Sequence, residues 1–155
     1  MMLQNFDAVC YLSGSEDYPS LTGTVGFRGV RNGTWVEVEA EGLPLFQPGA
    51  PQIGPHGFHI HNGNACGEGF GEDPFAAADG HWNPENQPHG NHPGDFPVLF
   101  SNGGRAAMLF FTDRFLPEDV IGKTLVLHAS PDDYQTQPAG GSGKRIACGV
   151  ILAGK

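Results

Sequence analysis

The sequence predicts an all-β domain of seven or eight antiparallel strands, folded as a sandwich or a Greek-key barrel. Three observations predict it. Short apolar runs alternate with a period of two residues, which is the period of a strand, and no segment has convincing helical periodicity. Polar stretches rich in the 24 Gly and 13 Pro residues separate these runs. A hydrophobic fraction of 39% with 11 Phe argues against disorder, so we expect one folded domain over residues 1–155.

The first three predicted strands alternate most clearly. They are residues 6–12, 21–28 and 34–41. In the third strand Val36 and Val38 point to one face and the intervening glutamates to the other, so the valine face is expected to be buried. Trp35 falls on the glutamate face near the end of this strand, and we expect it to cover an edge.

Four more strands follow, separated by two long irregular loops. The strands are residues 57–61, 106–113, 124–128 and 145–153. The loops span residues 62–104 and 129–144. A structureless segment of some 40 residues is unusual inside a compact domain. The first loop is therefore expected to be held by a metal ion or by a disulfide.

Charge and hydropathy exclude several classes of partner. The formal net charge of −9 argues against nucleic acid and anionic membranes. No stretch approaches 18 apolar residues, so no transmembrane helix is expected. No signal peptide is visible, which favours the cytoplasm. A periplasmic or secreted location is the alternative if a signal peptide has been removed.

The three cysteines allow at most one intrachain disulfide and leave one thiol over. Cys10 lies inside the first predicted strand and is expected to be a buried, inert thiol.

Six of the seven histidines lie between residues 56 and 95, and this density indicates metal chemistry. His59 and His61 are two residues apart on a predicted strand, so their side chains project from one face and could converge on one ion. Alone, this pair would fit two surface histidines on an edge strand equally well. His128 ends a later strand, where it would complete an all-imidazole site suited to copper or serve as a core histidine.

A second set lies in the first long loop with the spacing H-x7-H-x2-H-x2-D: His81, His89, His92 and Asp95. Three imidazoles and one carboxylate suit a closed, tetrahedral zinc site. Such a site would also order the loop, because metal binding is coupled to local folding. The competing interpretation is a solvated polar loop.

Five motifs together resemble the copper–zinc superoxide dismutase family. They are GFHIH (57–61), GHWNP (80–84), HGNHPGD (89–95), GKTLVLH (122–128) and RIACGVI (145–151). The short gap between His61 and Cys66, and the loop that contains Tyr134, are similar to the bacterial branch of that family. The resemblance implies an immunoglobulin-like Greek-key fold with about eight strands and two long functional loops.

The resemblance also implies ligands and an activity. The implied copper ligands are His59, His61, His81 and His128. The implied zinc ligands are His81, His89, His92 and Asp95. His81 would bridge the two metals, and His81 and Arg145 would be the catalytic residues, with Arg145 attracting the anion. The implied reaction converts superoxide to dioxygen and hydrogen peroxide.

Three further features of the family map onto this chain. Asp132 would link a copper-ligand histidine, His59, to a zinc-ligand histidine, His89, unless it is an ordinary turn residue. Cys66 and Cys148 would form the family's disulfide, unless they are two thiols. A homodimer stays open, because no dimer surface can be recognised in the sequence.

The chain also departs from the family pattern. The loop over residues 43–55 is longer than usual, and His89 and His92 are closer together than the matching pair in most relatives. The loop over residues 129–144 is poor in lysine and has Ala139 where many relatives have threonine, which puts the electrostatic steering of superoxide in question. Two other hypotheses are a domain that only binds or delivers copper and a purely structural zinc domain.

Overall fold

The computed structural model describes residues 5–50 and 53–154, and seven strands form its framework. The strands are β1 (Ala8–Gly14), β2 (Thr22–Val30), β3 (Gly33–Glu41), β4 (Phe58–His61), β5 (Ala106–Thr112), β6 (Thr124–His128) and β7 (Arg145–Ala153). Two three-residue 3-10 turns, Ala76–Ala78 and Pro117–Asp119, complete the regular structure of the described residues. The all-β prediction is confirmed. Within the described part of the chain, no helix has the length and apolar character needed to cross a bilayer.

All seven strands belong to one antiparallel sheet with the order β4-β6-β7-β1-β2-β3-β5. The chain crosses between the two ends of this sheet on passing from β3 to β4, from β4 to β5 and from β5 to β6, which gives the crossed connections of a Greek-key arrangement. Isolated bridges join β4 and the residue pair before it to the long loop that follows. They join His56 to Leu99, His59 to Asp95 and His61 to His81.

Alternation on β3 sends its small apolar residues inward, as predicted. Val36 and Val38 are fully buried, whereas Trp35 is 41% exposed on the other face. Trp35 makes an edge-to-face contact with Phe111 of β5, with the ring centroids 5.5 Å apart. β5 is the last strand of the sheet, so Trp35 packs on the outer face beside that edge strand and does not fill the core.

Phenylalanine side chains fill the core beneath β4. Phe58 lies 5.4 Å from Phe96 by ring centroids, and Phe96 lies 6.1 Å from Phe115. Truncating one such buried ring to alanine costs about 3–5 kcal/mol in a typical core. Because side chains alternate along β4, its Phe58 and Ile60 pack into this core while the two histidines between and after them face the other side. The core thus fixes the strand that presents the histidines.

The first two strands end two residues later than the sequence predicts. The first strand was expected at residues 6–12 but runs from Ala8 to Gly14, because Ser13 and Gly14 continue the ladder to β7. The second extends to Val30 instead of residue 28, because its pairing with β3 continues to the turn at Gly33. Both extensions are maintained by pairing in the backbone ladder, to β7 and to β3 respectively.

Candidate metal centre

Four histidines from three parts of the chain, three of them buried and His81 partly buried, meet beside β4. His59 and His61 come from β4, His128 ends the neighbouring β6, and His81 is bridged to His61. One ring nitrogen of each can be chosen so that all four lie within 4.8 Å of one another. The predicted strand pair, the strand-end histidine and the loop histidine therefore form one group, which we call the copper-side group.

Each of the three strand histidines uses one ring nitrogen to hold its orientation. The Nε2 of His59 lies 2.7 Å from a carboxylate oxygen of Asp132, and the Nδ1 of His61 lies 2.7 Å from the backbone oxygen of Asp79. The Nδ1 of His128 lies 3.1 Å from the backbone oxygen of Gly143. These acceptors require an N–H on the ring nitrogen that faces them, which leaves the opposite nitrogen with a free lone pair.

Those opposite nitrogens are buried and lack any hydrogen-bond partner among the described residues. They are Nδ1 of His59 and Nε2 of His61 and His128. Nε2 of His81 is buried and without a partner in the same way. Buried polar atoms are nearly always satisfied, so four unsatisfied nitrogens in one place require an explanation. The simplest explanation is a bound metal cation that takes these imidazole nitrogens as ligands. A set of four imidazole donors suits copper.

A second group lies next to the first, in the loop that follows β4. It contains His81, His89, His92 and Asp95, and we call it the zinc-side group. The Nδ1 of His81 lies 3.2 Å from Nδ1 of His92 and 3.3 Å from Oδ1 of Asp95. The Nδ1 of His89 lies 3.2 Å from the other oxygen of Asp95.

These distances fit a zinc ion. Ligand atoms about 2.0 Å from zinc at tetrahedral angles are about 3.3 Å from each other, which matches the observed spacing. The Oδ2 of Asp95 accepts hydrogen bonds from the backbone N–H groups of Gly90 and His92, at 2.8 and 3.0 Å. Its Oδ1 is buried and has no hydrogen-bond partner within the described part of the chain. The carboxylate is thus oriented with Oδ1 facing His81 and with Oδ2 facing His89 and His92.

His81 belongs to both groups. Its Nδ1 faces the zinc-side atoms, and its Nε2 is one of the unsatisfied nitrogens of the copper-side group. An imidazole that loses both ring protons can bind a cation at each nitrogen. The ring of His81 has the placement that such a bridge requires.

Asp132 connects the two groups from behind. One of its oxygens lies 2.7 Å from Nε2 of His59, and the other lies 2.8 Å from Nε2 of His89. Burial acts to raise the pKa of this carboxyl, but the hydrogen bonds from the two histidines outweigh burial and hold it at about 2. The predicted link between a copper-side and a zinc-side histidine is present in the structure, and Asp132 is more than a turn residue.

Arg145 stands at the start of β7, paired in the ladder with His128. Its guanidinium donates to the backbone oxygens of Phe75 and Asp79, at 2.7 and 2.6 Å. Burial lowers the pKa of Arg145 from its usual value, while Asp73 and Asp79 act to raise it. The side chain is therefore a fixed cation beside the copper-side group.

The segment that holds Arg145 is attached to the sheet by a disulfide between Cys66 and Cys148. Around the bond Phe75, Ala78 and Val126 form a small apolar cluster of their own. The cysteine pairing implied by the resemblance is confirmed. Cys10, the remaining cysteine, is buried, also as predicted.

Comparison with known proteins decides the family. Residues 21–151, most of the chain, match the model of the family described as copper/zinc superoxide dismutase. The chain belongs to that family.

Several bacterial superoxide dismutases are similar to this chain over most of its length. The Cu-Zn superoxide dismutase of Deinococcus radiodurans is 38% identical over 150 residues, covering 86% of this chain and 78% of the relative. That of Legionella pneumophila is 34% identical, covering 93% and 85%. That of Photobacterium leiognathi is 37% identical, covering 69% and 70%. The expected bacterial-like membership is confirmed.

The chain is therefore a copper/zinc superoxide dismutase, an oxidoreductase whose substrate is superoxide. Its cofactors are copper and zinc, as expected from its two groups of histidines.

Burial keeps three of the histidines in these groups neutral: His61, His81 and His128. Burial lowers the pKa of His128 to about 3, with further lowering by His59. Burial lowers the pKa of His81 to about 4, although the nearby carboxylate of Asp95 acts in the opposite direction. The pKa of His61 is also well below its ordinary value, chiefly because of burial. Neutral imidazole is the form that binds metal, so these donors are ready at neutral pH.

His56, to which the sequence assigned no metal role, is buried outside both groups. Its Nδ1 lies 2.9 Å from the backbone oxygen of His128. Sequence reasoning missed two residues that contact the zinc-side loop. The side chain of Gln137 contacts the backbone of His89, and Arg114 donates to the backbone oxygen of Asn91 at 2.5 Å. A contact to a backbone atom has no sequence signature, and only the number of polar residues in loop 129–144 hinted at such a role.

Proposed function

We propose that His59, His61, His81 and His128 hold the copper of this enzyme. The zinc would be held by His81, His89, His92 and Asp95. The placement of His81, with one nitrogen in each group, is the observation that carries this assignment.

Copper in this site supplies a one-electron couple, so that two superoxide ions and two protons give one dioxygen and one hydrogen peroxide. The protein supports this reaction by binding the anion, orienting the ligands and supplying a proton. Each role falls to a residue described above.

Arg145 binds the anion. The net charge of −9 repels superoxide at long range, but salt screens that repulsion over about 8 Å at physiological ionic strength. At contact, an ion pair with Arg145 is worth on the order of 1–4 kcal/mol, depending on the effective dielectric. The local attraction therefore exceeds the bulk repulsion at the site.

His81 supplies one proton from Nε2, and water supplies the second. Nε2 of His81 is buried and has no hydrogen-bond partner among the described residues, so it can carry a proton whenever it holds no metal. Asp132 meanwhile keeps the rings of His59 and His89 in a fixed orientation, since it accepts a hydrogen bond from each.

Metal content and superoxide turnover measured on the same purified sample test this function. Full occupancy by copper and zinc with turnover is the expected result. Full occupancy without turnover would reject the assignment, and zinc without copper at the four histidines would favour a structural zinc domain.

Replacing the cation tests the role of Arg145. Arg145→Ala is expected to lower kcat/KM by about tenfold or more, because it removes the local attraction. The matched control is Arg105→Ala, which removes the same charge at the start of β5, where Arg105 is exposed and 3.9 Å from Glu41. Equal rates for the two variants would show that net charge, not Arg145, controls the rate.

A further inference from the structure

Among the described residues, the zinc-side loop, defined here as residues 88–95, makes no hydrogen bond of its own to the backbone of His89. Only Gly90 and Asn91 separate His89 from His92. Within this loop the backbone hydrogen bonds run from Asn91 to Pro88 and from Asp95 to His92, each 3.1 Å long. Neither involves the backbone of His89.

The backbone of His89 is instead held by a side chain from the other long loop. The N–H of His89 donates to Oε1 of Gln137 at 2.7 Å, and Nε2 of Gln137 donates back to the oxygen of His89 at 3.3 Å. The amide of Gln137 thus pairs with His89 as a neighbouring strand would. The same Nε2 also donates to the backbone oxygen of Gln135 at 2.9 Å.

These three contacts fix which way the amide points. An amide group has one acceptor oxygen and two N–H donors. A flipped amide would place its NH2 against the N–H of His89 and its oxygen against the oxygens of His89 and Gln135. Only the observed orientation satisfies all three partners. A residue of similar size without an amide group could not make these three hydrogen bonds.

Two groups from loop 129–144 therefore hold the same histidine in complementary ways. Asp132 accepts from Nε2 of the His89 ring and sets its rotation, while Gln137 holds the backbone and sets its position. The Nδ1 of His89 is left buried and unsatisfied among the described residues. The loops also approach closely at Gly90, which has a φ of +99° and where a Cβ would lie only 2.6 Å from the backbone oxygen of Tyr134.

We propose that Gln137 is a positioning residue of the zinc site, which holds His89 against loop 129–144 and so fixes the trimmed zinc-side loop before the metal binds. This proposal rests on the zinc ligands assigned above. Its consequence is selective: zinc affinity depends on Gln137, whereas copper affinity depends mainly on histidines that lie in the strand ladder.

The test compares three full-length, disulfide-bonded proteins: wild type, Gln137→Met and Gln135→Ala. Methionine keeps the length of the side chain but removes the three hydrogen bonds. Gln135 is the control because it lies in the same loop, is exposed, and enters these contacts through its backbone. Gln137→Ala serves as a second variant if the methionine variant folds poorly.

Zinc and copper dissociation constants are measured separately by competition with a chromophoric chelator. We expect Gln137→Met to weaken zinc binding by about 3- to 10-fold, the range that corresponds to loss of a neutral hydrogen bond. Copper binding should change by less than about twofold, and Gln135→Ala should match the wild type in both. An unchanged zinc constant, or equal losses for the two metals, would overturn the proposal.

Hydrogen exchange of the metal-free proteins gives a readout independent of activity and of zinc. The amide of His89 should exchange faster in Gln137→Met than in wild type, while amides of β4 and β6 keep their rates. Equal exchange at His89 in both proteins would overturn the positioning role. If wild type takes up no zinc, the assigned ligand set fails, yet the exchange comparison still decides the role of Gln137.

Discussion

The two halves of the metal centre are held by different means. On the copper side, three of the four histidines lie in β4 and β6, and the ladder between these strands sets their spacing. On the zinc side, all four groups lie in a loop that side-chain hydrogen bonds hold in place. The copper side, which we call the strand side, is therefore ordered by the fold itself. The zinc side, which we call the loop side, depends on a few polar contacts. Each prediction below tests that contrast.

Removing the disulfide is expected to have the largest effect. The Cys66–Cys148 bond closes a separation of 82 residues, so in the chain-entropy model it stabilises the fold by about 4 kcal/mol. The double variant Cys66→Ser/Cys148→Ser should lose about that much unfolding free energy, measured by urea denaturation of the metal-free protein. A loss below about 1 kcal/mol would contradict the chain-entropy account.

The same variant sharpens the contrast between the two sides. The disulfide fixes the segment whose carbonyl groups at Phe75 and Asp79 hold Arg145, not the strand histidines. Hydrogen exchange should therefore accelerate between residues 62 and 80 and change little in β4 and β6. Comparable acceleration in the strands would show that the framework is not independent of the loop.

Asp132→Asn is expected to have the second largest effect, because Asp132 contacts both sides. Asparagine keeps one acceptor oxygen and directs an NH2 group at the other histidine. Loss of such a partner to a metal ligand typically weakens metal binding by about 10- to 100-fold. Zinc should be affected more than copper, because His59 stays in the β4 ladder while His89 does not lie in a strand.

A chelator competition for each metal measures this difference. The control is Asp133→Asn, whose carboxylate caps the exposed turn at Gln135 and Thr136. The Asp133→Asn variant should have unchanged affinities for copper and for zinc. If copper is lost more readily than zinc in Asp132→Asn, the contrast between the strand side and the loop side is wrong.

The strands that carry the copper-side histidines were predictable because they have a periodic signal, although the pair on β4 alone would also fit two surface histidines. His59 and His61 are two residues apart on a strand whose other face is apolar, and His128 ends another apolar run. The loop set, including Asp95, was recognisable only as a cluster of ligand types with close spacing. Its interpretation as a metal site relied on chemistry, and the resemblance to a family supplied the ligand assignment.

Other features could not be predicted because backbone atoms of distant residues provide them. The acceptors that orient His61 and His128 are carbonyl oxygens of Asp79 and Gly143, and any residue type can offer a carbonyl. The contact of Gln137 with His89 also has no sequence signature, since glutamine is common in polar loops. The long loop was expected to need a metal or a disulfide for order, and the structure adds these polar contacts as a third source.

The prediction with the smallest effect at neutral pH concerns Cys10, which tests how tightly the strand framework is closed. Cys10 is buried in β1, and Leu125 of β6 offers its thiol a backbone hydrogen bond. Burial raises the pKa of Cys10 to about 12, from 9.0, although that hydrogen bond acts to lower it. Above pH 9 the unfolded chain loses this proton and the folded protein does not, so unfolding is favoured as pH rises.

The contribution of Cys10 to the pH dependence of the unfolding free energy can be isolated by comparing the wild type with Cys10→Ala. Between about pH 9 and 12 the wild type should lose stability relative to the variant by up to about 1.4 kcal/mol per pH unit. Below pH 9 the difference should be constant, because both states then keep the proton. Urea unfolding at several pH values measures it, and the variant cancels the titration of every other group. A difference independent of pH up to 11 would mean that water reaches this thiol in the folded protein, and that the framework behind β6 is more open than its packing indicates.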